Sequence, residues 1–166
     1  MLFRSNFTEA LKSYEAAAAG FAVDESTFDD ARCDLAMVET KIGNVLLKIG
    51  KAEQARAEYE KALATAKLDE SLEHKDFPAL YAAAEANSGV GDVSIFEARN
   101  TPDAAAQAKL WNDACVSYEK SLGVWKQIAS PSRLSGNGYL SLGPGAVTQR
   151  LATCNTERTL STSSKT

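Results

Sequence analysis

The sequence predicts an all-α protein built of antiparallel helical hairpins that stack on one another. Apolar residues recur at steps of three and four through several long segments, which is typical of amphipathic helices. The turn that joins the second of these segments to the third is short, so these two helices are expected to pack antiparallel. A small–aromatic–small pattern also recurs along the chain, which indicates that one structural unit is repeated.

The first three helices follow from this spacing and from one cap residue. The first is predicted over residues 6–22. The second, over residues 28–49, shows the clearest apolar face, and Gly50 ends it because glycine readily adopts the left-handed conformation. The third begins at once and runs to about residue 68, with alanines and Tyr59 on its inner face. The second and third helices are therefore predicted to form a tight hairpin.

The last three helices are bounded by proline and by helix-start residues. Pro78 fits the first turn of a fourth helix over residues 77–98, because N–H groups there have no partner within the helix. The start signal Thr101-Pro102-Asp103 opens the fifth helix, and Pro131 stops it. This helix carries both tryptophans, which we expect to be core residues rather than an exposed binding anchor. A short sixth helix is predicted over residues 144–158, after an ordered loop.

These elements divide one domain into three parts. Residues 1–130 form the helical repeat region, which starts with the second helix of a first unit and continues with two full units. Residues 131–158 form the ordered loop and a C-terminal capping helix, and residues 159–166 form a flexible Ser/Thr-rich tail. A chain of 166 residues is long enough for one core of this kind.

Composition excludes several classes of partner. The formal net charge of −4 provides no positive field for nucleic acid. No segment has the apolar length of a signal peptide or a membrane span, so we expect no membrane association and a cytoplasmic location. Cys33, Cys115 and Cys154 are odd in number and far apart, which favours reduced thiols over a disulfide framework.

No residue pattern points to catalysis. His74 is the only histidine, so one chain cannot build a His-based triad or a multi-His metal site. The glycine-rich stretches lack the strand and the Lys-Ser/Thr ending of a phosphate loop, and the acidic clusters lie at predicted helix ends where caps explain them. The sequence therefore predicts a protein that is not an enzyme, with no catalytic residue, no metal site and no cofactor.

The recurring pattern resembles the tetratricopeptide repeat. Its three copies are Ala10-x3-Tyr14-x2-Ala17, Ala55-x3-Tyr59-x2-Ala62 and Ala114-x3-Tyr118-x2-Ser121, and the preceding strings Ile42-Gly43-Asn44-Val45 and Val90-Gly91-Asp92-Val93 also align. The resemblance implies that the hairpins form a right-handed α-α superhelix with a concave groove. The chain departs from the family in its longer spacing between tyrosines and in the missing first helix of its first unit.

The last third carries a narrower resemblance. Its residues Trp111, Cys115, Tyr118 and Trp125, followed by the segment 131–138, are similar to the end of the repeat tails on certain bacterial serine/threonine protein kinases. The sequence has no glycine-rich phosphate loop, no His-Arg-Asp catalytic loop and no Asp-Phe-Gly motif. The chain is then expected to be a kinase tail fragment or a stand-alone relative.

The family resemblance implies a module that binds a protein or peptide along its first helices. Carrying over the family's groove positions gives Met37, Thr40, Lys41, Asn44, Leu47 and Lys48 from one unit and Glu85, Ser88, Asp92, Ile95 and Phe96 from the next. Lys41 and Asn44 face acidic residues, so we expect a peptide of mixed or basic character and an incomplete clamp for a terminal carboxylate. The alternative is a structural or self-association module. Its N-terminal apolar face lacks a partner helix, and either a second copy, in a homodimer, or an upstream domain would cover it.

Overall fold

The computed structural model describes residues 2–24, 29–66, 77–128 and 143–163. Within these ranges the chain forms six α-helices and no strand, which confirms the all-α prediction. The helices are α1 (Leu2–Asp24), α2 (Asp29–Lys48), α3 (Ala52–Ala66), α4 (Phe77–Asn100), α5 (Ala104–Trp125) and α6 (Pro144–Ser163). The predictions that concern Phe28, His74 and the segment 131–138 lie outside the described residues.

The predicted helix ends agree well with the observed ones. Gly50 follows α2 with φ of 82°, and the N–H of Lys51 donates to the carbonyl of Leu46 at 2.9 Å, which closes the turn into α3. Asp103 caps α5, because its carboxylate accepts from the N–H of Ala106 at 2.7 Å. The main difference is at the C-terminus, where α6 continues to Ser163 through residues expected to form a flexible tail.

Helices pack in chain order, with one additional contact across the stack. Each helix packs against the next in the sequence, and α4 also packs against α2. The hairpins α2–α3 and α4–α5 therefore lie side by side through their first helices. None of the described helices has the length and apolarity needed to cross a membrane.

Two apolar clusters hold the helices together. One lies between α4, α5 and α6 and includes Tyr81, Trp111 and Trp125, so the prediction that both tryptophans are core residues is confirmed. The rings of Tyr81 and Trp125 meet edge to face with centroids 5.6 Å apart. The second cluster lies between α2, α3 and α4 around Ile42 and Tyr59.

The repeated sequence pattern has a repeated structural counterpart. A Cβ atom added at Gly43 would lie 2.7 Å from the ring of Tyr59, and one added at Gly91 would lie 2.7 Å from the ring of Tyr118. The Tyr59 hydroxyl donates to Asn44 Oδ1 at 2.7 Å, and the Tyr118 hydroxyl donates to Asp92 Oδ1 at 2.7 Å. In each unit, a glycine in the first helix thus gives the tyrosine ring room, and the residue after that glycine accepts a hydrogen bond from the tyrosine hydroxyl.

The structure contradicts the expectation that all cysteines are reduced. Cys115 of α5 and Cys154 of α6 form a disulfide with their Cα atoms 5.7 Å apart. Cys33 is buried in α2 and takes no part in it. The pairing depends on α6 folding back along α5, which spacing in the sequence does not reveal. The argument from thiols for a cytoplasmic location therefore no longer holds.

Candidate functional site

The structure brings the predicted first-helix residues together but uses most of them for packing between helices. Lys41 Nζ of α2 lies 2.8 Å from Glu85 Oε2 of α4, and the hydroxyl of Tyr81 donates to the other oxygen of Glu85 at 2.6 Å. Glu85 is buried while the Lys41 side chain is partly exposed. This ion pair confirms that Lys41 faces Glu85 and ties the two hairpins together.

A residue of α6 contacts the neighbouring predicted positions on α4. Arg150 donates to Asp92 Oδ2 at 2.7 Å and to Ser88 Oγ at 3.1 Å. Burial raises the pKa of the Asp92 carboxyl, although the Arg150 charge and the hydrogen bond from Tyr118 act in the opposite direction. Asp92 therefore links α4 to both α5 and α6.

The remaining predicted residues differ in exposure. Thr40 is buried and donates to the Ala36 carbonyl at 2.9 Å. The apolar members Met37, Leu47 and Ile95 are half-buried against the two core clusters. Lys48 and Phe96 are exposed, and Lys48 Nζ lies 5.8 Å from the ring centroid of Phe7 in α1. The first-helix surface thus offers a partner few side chains that are not already used.

An open groove that was not predicted lies between α1, α2 and α3. It encloses about 580 Å³. Its floor is the face of α2 formed by Leu35, Ile42 and Leu46, and its apolar walls include Leu11 of α1 and Ala57 of α3. We call this cavity the N-terminal groove. The sequence indicated only an unpartnered apolar face near this end, because the shape of a cavity depends on how three helices pack.

Charged residues line the edge of the N-terminal groove. They are Glu15 on α1 and Lys51, Glu58 and Lys61 on or next to α3. One Glu58 oxygen, Oε2, is buried without a hydrogen-bond partner among the described residues. Burial raises the pKa of Glu58, Lys61 lowers it, and Glu39 and Glu15 raise it further. Carboxylates therefore outnumber the cations close to Glu58.

Glu39 lies beneath this edge, on the face of α2 that forms the floor. It follows Leu35 by four positions and precedes Ile42 by three, so all three side chains share one helix face. Glu39 is fully buried, and Lys61 Nζ lies 3.0 Å from its Oε1. Its other oxygen, Oε2, has no hydrogen-bond partner within the described part of the chain. The residues of α2 that line the groove are therefore apolar, and the Glu39 carboxylate is buried beneath them.

No arrangement for metal binding is visible in the described ranges. Among those residues, no three His, Cys, Asp or Glu side chains are grouped so that they could hold a metal ion. Comparison with protein-family models, with curated proteins and with solved structures found no match to this chain. The resemblances to the tetratricopeptide family and to kinase tails therefore stay predictions.

Proposed function

We propose that this chain is a non-catalytic helical-repeat module of the tetratricopeptide type that binds a protein or peptide partner. The repeated contacts of Tyr59 and Tyr118 with a glycine and an acceptor support the repeat assignment. The contact between α2 and α4 supports a stack in which first helices are neighbours, as in the superhelix of this family.

The observation that carries this function is the N-terminal groove. Its volume of about 580 Å³ lies within the range of cavities that bind ligands, and its floor is apolar while its edge is charged. An apolar floor supplies affinity, and a charged edge selects the partner. We place the principal binding site here because the side chains of the first-helix surface are mostly engaged within the chain.

A displayed library of random peptides tests the assignment. Peptides selected on the wild-type chain are expected to lose binding to Ala57→Trp, because the indole fills the groove from an exposed position on its wall. Ala105→Trp, at an exposed position on α5 outside the groove, is the matched control and should bind as the wild type does. Equal binding by Ala57→Trp would contradict this location.

The first-helix surface is a second site to test in the same selection. Phe96 on α4 is 37% exposed and Val116 on α5 is 38% exposed, so aspartate substitutions at these two positions are well matched. If the predicted surface binds a partner, Phe96→Asp should weaken the binding of the selected peptides, whereas Val116→Asp should leave their binding unchanged. If both variants bind normally, the predicted first-helix surface is ruled out.

Self-association is the alternative function, and the packing of α1 favours it. Over residues 6–22, no side chain of α1 is fully buried, and α1 packs mainly against α2. A second copy laid against α1 would cover Leu11, Tyr14 and Phe21, which are half-buried. Sedimentation velocity over a range of concentrations decides: a dimer that Leu11→Asp dissociates supports self-association, and a monomer throughout excludes it.

Two further proposals concern context. The kinase-tail resemblance is tested by whether a kinase domain is encoded immediately upstream of this chain.

A cytoplasmic location requires that Cys115 and Cys154 be thiols in the cell, because the cytosol keeps cysteines reduced. Alkylation in intact cells followed by mass spectrometry measures this, and a disulfide found there would contradict the cytoplasmic proposal.

A further inference from the structure

We propose that the first-helix surface binds an acidic segment of a partner protein through aspartate or glutamate side chains and an apolar side chain beside them. This inference goes beyond the proposed function, because it concerns a second surface and does not depend on the N-terminal groove. It follows from the hydrogen-bond donors and acceptors of α2, α4 and the neighbouring Arg150 of α6. The acceptors are already engaged within the chain, whereas two charged donors are not.

The two predicted acidic residues of this surface are occupied from within the chain. Glu85 accepts one hydrogen bond at each carboxylate oxygen, from the Tyr81 hydroxyl at 2.6 Å and from Lys41 Nζ at 2.8 Å. Asp92 also accepts at both oxygens, from a tyrosine hydroxyl of α5 and from Arg150, each at 2.7 Å. Since both carboxylates are paired with a cation of the chain, they leave little charge to attract a basic ligand.

The uncharged acceptors are engaged as well. Asn44 Oδ1 accepts from the Tyr59 hydroxyl at 2.7 Å. Ser88 Oγ accepts from Arg150 at 3.1 Å. Burial and Asp92 raise the pKa of Tyr59 while Arg150 lowers it, so these two charges lie close to that hydroxyl. Because its oxygen is engaged, Asn44 offers a ligand mainly the N–H donors of its Nδ2 atom.

Two cations of the surface have no carboxylate partner. Lys48 is the last residue of α2 and Arg99 lies in the last turn of α4, and both are exposed. Neither forms an ion pair with a residue that the structure describes, and Lys48 Nζ instead lies 5.8 Å from the ring centroid of Phe7. The helix dipole favours a cation in the last turn, and a cation that stays exposed there can also donate to a ligand.

Both cations lie on the same side of the molecule as the engaged residues. Lys48 follows Lys41 by seven positions, which is about two helical turns, and Arg99 follows Asp92 by the same interval. α2 and α4 pack against each other, so these two helix faces adjoin. Burial raises the pKa of Tyr118 and Arg99 is among the charges that lower it, which places Arg99 near the hydroxyl that donates to Asp92.

Positive charge is unbalanced at the end of the surface that carries Lys48 and Arg99. The two carboxylates beside it are each paired with another cation. On the same face of α2, the exposed Asp34 precedes Lys48 by fourteen positions, about 21 Å along the helix and beyond the screening length of roughly 10 Å. Glu157 of α6 is half-buried and is itself engaged in an interaction. The complementary ligand is therefore acidic.

An exposed phenylalanine lies beside these cations. Phe96 of α4 is 37% exposed and precedes Arg99 by three positions, so the two side chains are neighbours on the helix surface. An apolar side chain of the ligand that packs against this ring brings an adjacent carboxylate within reach of Arg99. The ligand that fits is therefore an acidic segment with an apolar residue.

Three synthetic peptides test the proposal by fluorescence anisotropy. Each has blocked ends, a neutral fluorophore and a central leucine, and the residues on either side of it alternate serine with glutamate, glutamine or lysine. The glutamate peptide is expected to bind about tenfold more tightly than the glutamine peptide at low salt, because two exposed ion pairs contribute about threefold each. High salt should reduce this preference, and the lysine peptide should bind most weakly.

Charge-neutral variants of the chain assign the effect to named residues. Lys48→Gln and Arg99→Gln should each lower the preference for glutamate over glutamine about threefold. Both positions are exposed, so neither substitution should unfold the chain. Lys109→Gln, at an exposed lysine of α5, makes the same change in charge and should keep the full preference. Ala57→Trp, which fills the N-terminal groove, should also keep it.

The possible outcomes are distinct. Equal affinity for the glutamate and glutamine peptides, or no binding of either, overturns the proposal, and so does tighter binding of the lysine peptide. If Lys109→Gln lowers the preference as much as Arg99→Gln does, the attraction is not specific to this surface and the proposal is wrong. Loss of the preference in Ala57→Trp would place the acidic peptide in the N-terminal groove, which overturns the second site and leaves the proposed function standing.

Discussion

At the scale of single residues, the fold depends on small residues that make space for aromatic ones. Tyr59 shows this most clearly, since a Cβ atom at Gly43 would lie 2.7 Å from its ring and one at Gly89 only 2.4 Å. These glycines belong to different hairpins. One buried ring therefore fills the contact between α2 and α4, and its hydroxyl is satisfied by Asn44.

Replacing one of these glycines should destabilise the chain. Gly91→Ala places a methyl group 2.7 Å from the ring of Tyr118, which must shift within a close-packed core. We expect the free energy of unfolding to fall by about 1–3 kcal/mol in urea denaturation. Gly123→Ala is the control, because nothing lies within 4 Å of its Cβ position and alanine favours the helix by about 0.5–1 kcal/mol. Equal effects at the two sites would contradict this packing.

The ionisation of Glu58 gives a prediction about pH. Its folded-state pKa is raised above 4.5, mainly by burial. In the window above pH 4.5 the folded chain keeps a proton that the unfolded chain has lost, so the free energy of unfolding should fall as pH rises through that window. Glu58→Gln should flatten this fall and should not lower the melting temperature near neutral pH.

Thermal melts recorded between pH 4 and pH 8 provide the measurement for Glu58. The control is Glu60→Gln on the exposed side of α3, which should reproduce the wild-type pH dependence. If the melting temperatures of the wild type and of Glu58→Gln change equally with pH above pH 4.5, burial does not raise the pKa of Glu58 and this prediction is wrong.

At the scale of elements, α6 is attached by three kinds of contact. The disulfide joins it to α5, Arg150 reaches Ser88 and Asp92 on α4, and Val147 is buried against the core. These contacts explain why a segment with few apolar residues stays helical along its length. Helices of this size gain most of their stability from packing rather than from intrinsic propensity.

Removing the disulfide should loosen α6 without unfolding the repeats. Cys154→Ser opens a link across a sequence separation of 39 residues. A link of that length is expected to stabilise the fold by about 2–4 kcal/mol through the unfolded state. Hydrogen exchange should rise in α6 and remain unchanged in α2 and α3. Cys33→Ser, at a buried cysteine outside the disulfide, is the control and should leave α6 protected.

Much of this element order could be predicted from the sequence, because strong local signals define it. The apolar period of α2, the left-handed Gly50 and the start signal at residues 101–103 each act within a few residues, and the register of Tyr59 with Tyr118 follows from a repeat. The disulfide, the groove and the burial of Glu39 could not be predicted. Each depends on which helices meet in space, and a single glutamate on a helix face does not show what covers it.

The contacts that the predicted first-helix residues make inside the chain could not be predicted for the same reason. Helical spacing placed Glu85, Ser88 and Asp92 on one face of α4 correctly. It could not show that Tyr81, Tyr118 and Arg150 would supply their hydrogen-bond donors. Residues that look available along a helix were already committed to neighbouring helices.

At the scale of the whole molecule, stability is expected to vary along the stack. α4 packs against α2, α3 and α5, whereas α1 packs mainly against α2 and has no fully buried side chain over residues 6–22. In stacked repeats each element depends chiefly on its neighbours. Amide hydrogen exchange should therefore be fastest in α1 and slowest in α4 among the described helices.

Binding should change this gradient at one end. A peptide held in the N-terminal groove touches α1, α2 and α3, so it should slow exchange in α1 and leave α5 and α6 unaffected. Protection confined to α4 and α5 would place the ligand elsewhere. The control is the same measurement on Ala57→Trp, in which the peptide should cause no protection.

The ring of Tyr59 held between Gly43 and Gly89 has a consequence for how this architecture can grow. The thickness of this ring sets the distance between α2 and α4, and so the spacing of the two hairpins to which these helices belong. A further hairpin grafted onto the chain would continue with the same pitch only if it brought its own tyrosine and glycines. One that lacked them would tilt, and the surface offered to a ligand would bend at that joint.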